Sequence, residues 1–267
     1  MTNKDFKNKY GDWALITGAT SGIGAELTNQ IAAKGLNIVL VARKEKELAQ
    51  QAASLQKRYG VKTKYISADL ATAEGLEKVK QVDEKIGLLV SAAGYEVNGA
   101  FSKTPLAGEL KVIQLNVVAT LELCHHFSPL MVERGKGGIL LIASLSGQMP
   151  NPYFSNYAGS KAYVLNLGVS LYAELKPKGV DLTILSPGLT KTPMTADNGV
   201  DWSKPPMQAM EASVVAEFGL NGLGKRLLSV PGGKNKIMAL MSKHSPLAML
   251  AKMNEKMMRK AMQPSKI

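Results

Sequence analysis

Trp13-Ala14-Leu15-Ile16-Thr17-Gly18-Ala19-Thr20-Ser21-Gly22-Ile23-Gly24 is the stretch that decides how this chain folds. The apolar run 13–17 predicts a buried strand. A glycine-rich turn follows, and then Ile23, Leu27 and Ile31 recur at helical spacing up to Gly35. Glycines in such a turn let backbone approach a pyrophosphate and let the helix pack close to the strand. The helix N-terminus adds unpaired N–H donors and the positive end of its dipole. A strand before and a helix after is the setting in which a glycine pattern binds a dinucleotide. The spacing here is Gly-x-x-x-Gly-x-Gly, not Gly-x-Gly-x-x-Gly, and the plainer alternative is an ordinary strand-to-helix turn.

Moving outward, a second apolar run at 37–42 predicts a strand, and 62–67, 86–92, 138–143 and 180–185 are further strand candidates, with helical segments between them, among them a charged helix over 44–59. Strands alternating with helices imply βαβ units and a parallel sheet, and near-continuous apolar strands imply a sheet covered on both faces. The predicted fold is therefore α/β, a doubly wound parallel sheet of Rossmann-like type. It forms a single domain over 1–233, with a helical extension over 234–267 packed on it. No second series of strands and no internal repeat is present. Ligands of such sheets sit beyond the carboxyl ends of the strands.

The position that reads the adenosine ribose lies at the end of the second strand. An acid there would bond the 2′-hydroxyl of NAD. The chain instead has Ala42-Arg43-Lys44. A guanidinium offers a planar fork of donors to a 2′-phosphate, so NADP(H) is the expected cofactor. The competing reading makes Arg43 and Lys44 the solvated start of the next helix, and Lys44 fits that reading well.

Ser144 follows the strand at 138–143, and thirteen residues later comes Tyr157-Ala158-Gly159-Ser160-Lys161. Positions 157 and 161 share a helix face. A tyrosine hydroxyl titrates near ~10, too high for a base at neutral pH. A neighbouring ammonium favours the phenolate, so Lys161 is expected to lower the Tyr157 pKa. Taken alone, the pair could equally be a surface couple on an amphipathic helix.

The glycine-rich turn, Ser144 and Tyr157-x-x-x-Lys161, in this order and at these spacings, resemble the short-chain dehydrogenase/reductase family from about residue 12 to residue 193. The resemblance implies an oxidoreductase moving hydride between NADP(H) and a carbonyl or alcohol carbon. Tyr157 would be the general acid in reduction and the base in oxidation. Lys161 would hold the nicotinamide ribose, and Ser144 would bind the substrate oxygen. Asn116 matches the family's helix asparagine that anchors a relay water. Gly18, Thr20, Ser21, Gly22, Ile23 and Gly24 would cradle the cofactor's phosphates. Asp69 and Leu70 match the adenine-pocket pair, and Ala93 and Gly94 the segment after the fourth strand. Pro187, Gly188, Thr190 and Thr192 match the segment against the nicotinamide amide and diphosphate. No metal is implied. Two departures stand out: the family's Asn-Asn-Ala-Gly reads Ser91-Ala92-Ala93-Gly94, which puts the local hydrogen bonding in question, and position 21 is Ser where many NADP(H)-preferring relatives carry a basic residue.

Bulk properties narrow the rest. Apolar residues make up 45% and charged residues 20%, as in a globular protein with a core. The single cysteine, Cys124, excludes an internal disulfide and reads as a small buried residue. The N-terminus lacks the apolar core of a secretory signal, and no run reaches the roughly 18 apolar residues of a spanning helix. A cytoplasmic protein is expected. Ser265-Lys266-Ile267 approaches a peroxisomal signal, but its last residue departs from it. His125, His126 and His244 have no partners at metal spacing.

Net charge is +12, of which the segment from Lys234 onward carries +7. The charge is thus local, and no nucleic-acid motif accompanies it. Residues 195–206 predict a mobile loop over the substrate, within a substrate segment spanning 193–206, with a helix starting near Met207. Leu250, Met253, Met257 and Ala261 form an apolar stripe at helical spacing. That tail packs on its own domain or a partner subunit, or else makes peripheral membrane contact as a basic amphipathic helix. A small-molecule ketone or alcohol of apolar character and a homo-oligomer are the partners the resemblance implies. The alternative function is a non-catalytic NADP(H)-binding regulator on the same fold.

Overall fold

The computed structural model describes residues 2–196, 198–205 and 207–267. Its strands are β1 (Trp13–Thr17), β2 (Asn37–Ala42), β3 (Thr63–Ser67), β4 (Ile86–Ser91), β5 (Gly137–Ile142), β6 (Val180–Leu185), the short pair β7 (Thr190–Lys191) and β8 (Met210–Glu211), and β9 (Leu228–Ser229). Seven of them form one parallel sheet in the order β3-β2-β1-β4-β5-β6-β9, while β7 pairs with β8 outside it. The strand order reverses between β1 and β4, and a crevice opens at that point beyond their carboxyl ends.

The helices are α1 (Asn3–Tyr10), α2 (Gly22–Ala33), α3 (Glu45–Tyr59), α4 (Ala73–Lys80), α5 (Leu106–Ile113), α6 (Ala119–Glu133), α7 (Ser155–Leu175), α8 (Pro193–Ala196), α9 (Ala212–Gly222), α10 (Gly233–His244) and α11 (Leu247–Ala261). Two apolar layers cover the sheet. Leu27 and Ile31 of α2, Leu48 and Leu55 of α3 and Val215 and Leu220 of α9 fill one side; Leu76 of α4, Leu123 and Phe127 of α6 and Val164 of α7 fill the other. Successive strand residues feed opposite layers, Ile16 the first and Leu15 the second, as the two-residue period of a strand requires. Cys124 lies in the second layer, and burial pushes its thiol up to about 12. Among the described residues no helix is long and apolar enough to cross a membrane.

Two features differ from the sequence expectations, and one is additional to them. The N-terminal residues form a capped helix: the Thr2 side chain accepts from the Asp5 backbone, and Asp5 returns a bond to the Thr2 backbone. That helix buries Phe6 and Tyr10, and the Tyr10 hydroxyl donates to Asp181 on β6 at 2.9 Å. The helix expected from Met207 begins at Ala212, because Met210 is extended and donates its N–H to Leu189 O beside β7. The buried stripe of α11 is Leu250, Asn254, Met258 and Ala261, so Met253 faces outward. A polar residue sets this register, since the Asn254 amide donates to Pro150 O at 2.7 Å.

The segment 193–206 includes Asp197 and Pro206, which lie outside the described residues. Its described part is fastened to the tail. Val200 bridges Met262, Asp201 N donates to Ala261 O at 2.8 Å, and Gln263 N donates to Gly199 O at 3.1 Å.

Candidate active site

The β1–α2 turn is shaped by what two glycines lack. Gly18 holds φ +66°, and a Cβ there would lie 2.9 Å from Ala93 N. A Cβ on Gly24 would meet Gly18 O at 2.2 Å. Backbone, helix and the β4 loop therefore converge as only glycine permits. Ser21 caps α2 without a side-chain hydrogen bond, and no acid occupies the first turn. The residues of that turn line the cavity, and no acid within the turn opposes an anion, so a pyrophosphate fits there.

Gly18, Ser21, Gly22, Ile23 and Gly24 line a cavity of ≈ 250 Å³, together with Ala93 and Gly94 after β4. Ser144, Tyr157 and Lys161 line the same cavity, as do Pro187, Gly188, Thr190 and Thr192 beyond β6. Thr20, Arg43, Asp69, Leu70 and Asn116 lie outside its lining. Arg43 is exposed after β2, while Lys44 pairs with Glu47 at 2.7 Å on the surface of α3. Asp69 accepts from Ala71 N at 3.1 Å and faces Lys111 at 3.5 Å, and Leu70 is buried.

The Ser91-Ala92-Ala93-Gly94 segment compensates for its missing asparagines. Thr17 Oγ1 accepts from both Ala92 N and Ala93 N at 3.0 Å, and the Ser91 hydroxyl pairs with that of Thr120 at 3.1 Å. Asn116 sits in a π-helical stretch, Gln114–Val118, between α5 and α6. Its side chain is fully committed: it accepts from Tyr95 N and donates to Tyr95 O and Ser160 Oγ, all at 2.9 Å.

The Lys161 ammonium is buried, donates to Ile142 O at 2.9 Å and lies 5.7 Å from the centre of the Tyr157 ring. Burial lowers its pKa to about 8, opposed by the Glu96 carboxylate. The Tyr157 hydroxyl moves opposite to expectation. Burial and the charge of Glu96 raise it above the ordinary tyrosine range, with only hydrogen bonding to Ser144 pulling it down. In the protein's own field, then, Lys161 does not set a low Tyr157 pKa.

Glu96 is the residue the sequence did not single out. It lines the cavity, accepts from the Asn198 amide at 2.9 Å, and has its own pKa raised by burial. Lys266 stands near it and donates to Asn98 Oδ1 and Asn198 O at 2.7 Å each. No spacing rule marks Glu96, since it sits in a loop and its neighbours arrive from the far end of the chain.

The remaining wall is apolar. Met149, Phe154, Trp202, Met238, Met257 and Met258 line it, with the Phe154 and Trp202 rings 6.2 Å apart. Tyr153, held in the left-handed region at φ +68°, ties this wall to α11 through its hydroxyl, which donates to Glu255 at 2.7 Å.

A family model described as short chain dehydrogenase matches residues 12–201. A 7beta-hydroxysteroid dehydrogenase of Collinsella aerofaciens is 30% identical over 237 residues, covering 87% of this chain and 90% of the relative. A very-long-chain 3-oxoacyl-CoA reductase of Pyricularia oryzae is 32% identical over 225 residues, covering 82% of this chain and 68% of the relative. Among solved structures, a 7beta-hydroxysteroid dehydrogenase superposes with a TM-score of 0.84 at 27% identity, covering 93% of this chain and 98% of its own. A short-chain dehydrogenase from Sphingobium yanoikuyae in complex with NADPH reaches 0.80 at 32% identity, covering 87% and 93%. With its matched family model, its sheet order and its glycine-rich switch-point crevice, this chain belongs to the short-chain dehydrogenase family and is an oxidoreductase that works with a nicotinamide cofactor on carbonyl or alcohol carbon.

Proposed function

We propose that the cofactor is NADP(H) and that the chain reduces a bulky apolar ketone, with Tyr157 as proton donor. The observation that carries this reading is the cavity itself: Ser144, Tyr157 and Lys161 share it with the glycine turn, under a wall of Met149, Phe154, Trp202 and Met257. A nicotinamide bound there supplies the hydride. Arg43, exposed and without an acid beside it at the end of β2, would hold the 2′-phosphate, and the solved relative with NADPH supports that choice.

Each residue has a role that its surroundings favour. The N–H groups at the start of α2 would bind the pyrophosphate. Lys161, charged below about 8, would hold the nicotinamide ribose. Ser144 would donate to the carbonyl oxygen and stabilise its developing charge. Tyr157, raised by burial and Glu96, holds its proton for delivery to that oxygen in reduction. Because the Asn116 side chain is spent on Tyr95 and Ser160, a relay water would sit on its main-chain carbonyl. Asp69 and Leu70 would flank the adenine.

The relatives include an enzyme named for a hydroxysteroid and one named for a 3-oxoacyl thioester. A ketone of either shape, large and mostly hydrocarbon, suits the apolar wall. Residues 1–233 would form the Rossmann-type unit, with 193–206 over the substrate and 234–267 packed on the same domain. The chain would work in the cytoplasm as a homo-oligomer, dimer or tetramer, with peripheral membrane contact through its C-terminal helices. A non-catalytic regulator would not need the Ser144, Tyr157 and Lys161 set.

The test is NADPH oxidation over a panel of ketosteroids, 3-oxoacyl thioesters and long-chain ketones. Turnover should appear with a bulky ketone, run poorly with NADH, and fall at least about a thousandfold in Tyr157→Phe with NADPH binding retained. Equal turnover by Tyr157→Phe would overturn the assignment.

A further inference from the structure

Helices α10 and α11 cover the cavity with their inner faces. Met238 of α10 and Asn254, Met257 and Met258 of α11 line it. Their other faces point away from the cavity and are unusually apolar for exposed surface. On α10, Ile237, Leu240 and Met241 fall at i, i+3 and i+4, one stripe of the helix, and each is at least 60% exposed. Leu247, Met249 and Met253 of α11 add three more exposed apolar side chains, none less than 54% exposed. A soluble surface scatters such residues singly; six on two consecutive helices exceed that scatter.

The charge around them has one sign. Lys234, Lys236 and Lys243 lie on α10, and Lys252, Lys256 and Lys260 on α11. None of these six makes an ion pair among the described residues. The sole acid from 234 to 267, Glu255, is already taken by Arg259 and by the Tyr153 hydroxyl. Exposed apolar side chains on helices that also carry lysines without ion pairs suit one occupant above others. A nucleic acid would use the charge and leave the hydrocarbon wet. A second copy of the face would bring like charges together. An anionic bilayer takes both, lysines at the phosphates and the apolar stripe among the acyl chains.

We propose that the outer face of α10 and α11 docks on the surface of an anionic lipid bilayer, setting the cavity roofed by the same helices against the membrane. The docking gives structure to the peripheral contact proposed above. The consequence for catalysis, entry of an apolar ketone from the bilayer, rests on the proposed substrate class, whereas the docking does not. The two helices would lie in the interface and not cross it. An apolar substrate would pass between the lipid and a wall of Met238, Met257 and Met258, side chains whose flexible thioethers adapt to varied shapes.

The experiment uses the full chain. It measures co-sedimentation with vesicles of phosphatidylcholine alone and of phosphatidylcholine mixed with phosphatidylserine, at low and high salt. Two variants accompany the wild type: Leu240→Ser with Met241→Ser on the apolar stripe, and Lys252→Gln with Lys256→Gln and Lys260→Gln on the basic face. All five positions are exposed and outside the cavity lining, and NADPH binding of each variant serves as the folding check. Wild type should bind phosphatidylserine vesicles at least about tenfold more tightly than neutral ones, and salt should weaken it. Each variant should lose about tenfold or more. Vesicle binding that is absent, indifferent to phosphatidylserine, or unchanged in both variants would overturn the proposal. So would a wild-type dimer that the stripe variant turns to monomer with no vesicle binding. Because sedimentation needs no turnover, failure of the docking is distinguishable from failure of the ketone reading.

Discussion

The Thr17 hydroxyl lies 3.0 Å from the backbone nitrogens of both Ala92 and Ala93 and accepts a hydrogen bond from each. One side chain at the end of β1 thereby fixes the chain leaving β4, across the crevice where the strand order reverses. The asparagines expected after β4 are absent, and Thr17, with the Ser91–Thr120 pair, holds the segment instead. Thr17→Val keeps the shape and strands two donors, a loss of about 1–3 kcal/mol. Urea unfolding should show it, with Thr17→Ser close to wild type. Since Ala93 and Gly94 line the cavity, NADPH affinity should fall several-fold in the valine variant only. Unchanged stability in Thr17→Val would show that the segment holds itself.

Much of this arrangement was legible in the sequence, for identifiable reasons. The bounds of β1 and β2 were legible to the residue because strands of a sheet buried on both faces are near-continuously apolar, and those of β6 were legible although Asp181 and Thr183 interrupt its apolar run. The glycine turn, Ser144, Tyr157 and Lys161 were legible because they sit directly after strands, where the fold delivers ligands. Three things were not. α1 carries two apolar residues among lysines, too few for a periodic signal. The inward face of α11 is set by a buried amide, Asn254, which hydrophobic spacing misreads as solvent-facing. Glu96 owes its importance to Asn198 and Lys266, about a hundred and more residues away in the chain.

Glu96 should govern the pH dependence of both directions. Its negative charge raises the pKa of Tyr157 and of Lys161, so replacing it with the neutral isostere lowers both. Oxidation needs deprotonated Tyr157 and climbs with pH; in Glu96→Gln that rise should begin at lower pH. On the proposed mechanism reduction would need the Lys161 ammonium and fall as it loses its proton above about 8; that fall should also move to lower pH. Initial rates from pH 6 to 10, as kcat/KM in both directions, check the prediction, with kcat near its optimum changing by less than about tenfold. If both profiles stay where they are, Glu96 does not act on these two groups.

Asp181 anchors the N-terminal helix to the sheet. Its buried carboxylate takes the Tyr10 hydroxyl at 2.9 Å, Lys9 at 2.5 Å and Lys176 at 2.6 Å. Burial would raise its pKa, but the bonds from Lys176, Lys9 and Tyr10 outweigh burial and hold it below 3.8. A carboxylate so lowered contributes stability above pH 3.8 and loses that contribution as pH falls through the folded value. Asp181→Asn should therefore cost about 2–4 kcal/mol at pH 7. The two lysines are 41% and 42% exposed and can rehydrate, which keeps the cost under that of a wholly buried pair. The difference from wild type should shrink in acid. Thermal unfolding at pH 7 and pH 3 tests this, and an equal deficit at both would mean that shape, not charge, holds the helix.

On the proposed reading, Arg43 would decide the cofactor. It stands exposed where an acid would select NAD, and its neighbour Lys44 is occupied by Glu47, so a 2′-phosphate would find one guanidinium and no helper at Ser21. A single charged contact makes the discrimination fragile. Arg43→Ala should raise the KM for NADPH by about 10- to 100-fold, leave that for NADH within about twofold, and change kcat little, because the contact is equally present in ground and transition states. Arg43→Asp should go further and prefer NADH, since a carboxylate repels the phosphate and accepts from the free 2′-hydroxyl. Salt should weaken NADPH binding in the wild type and not in Arg43→Ala. Were the alanine variant to keep its NADPH affinity, phosphate recognition would have to lie elsewhere, and the preference for NADP(H) would lose its structural basis.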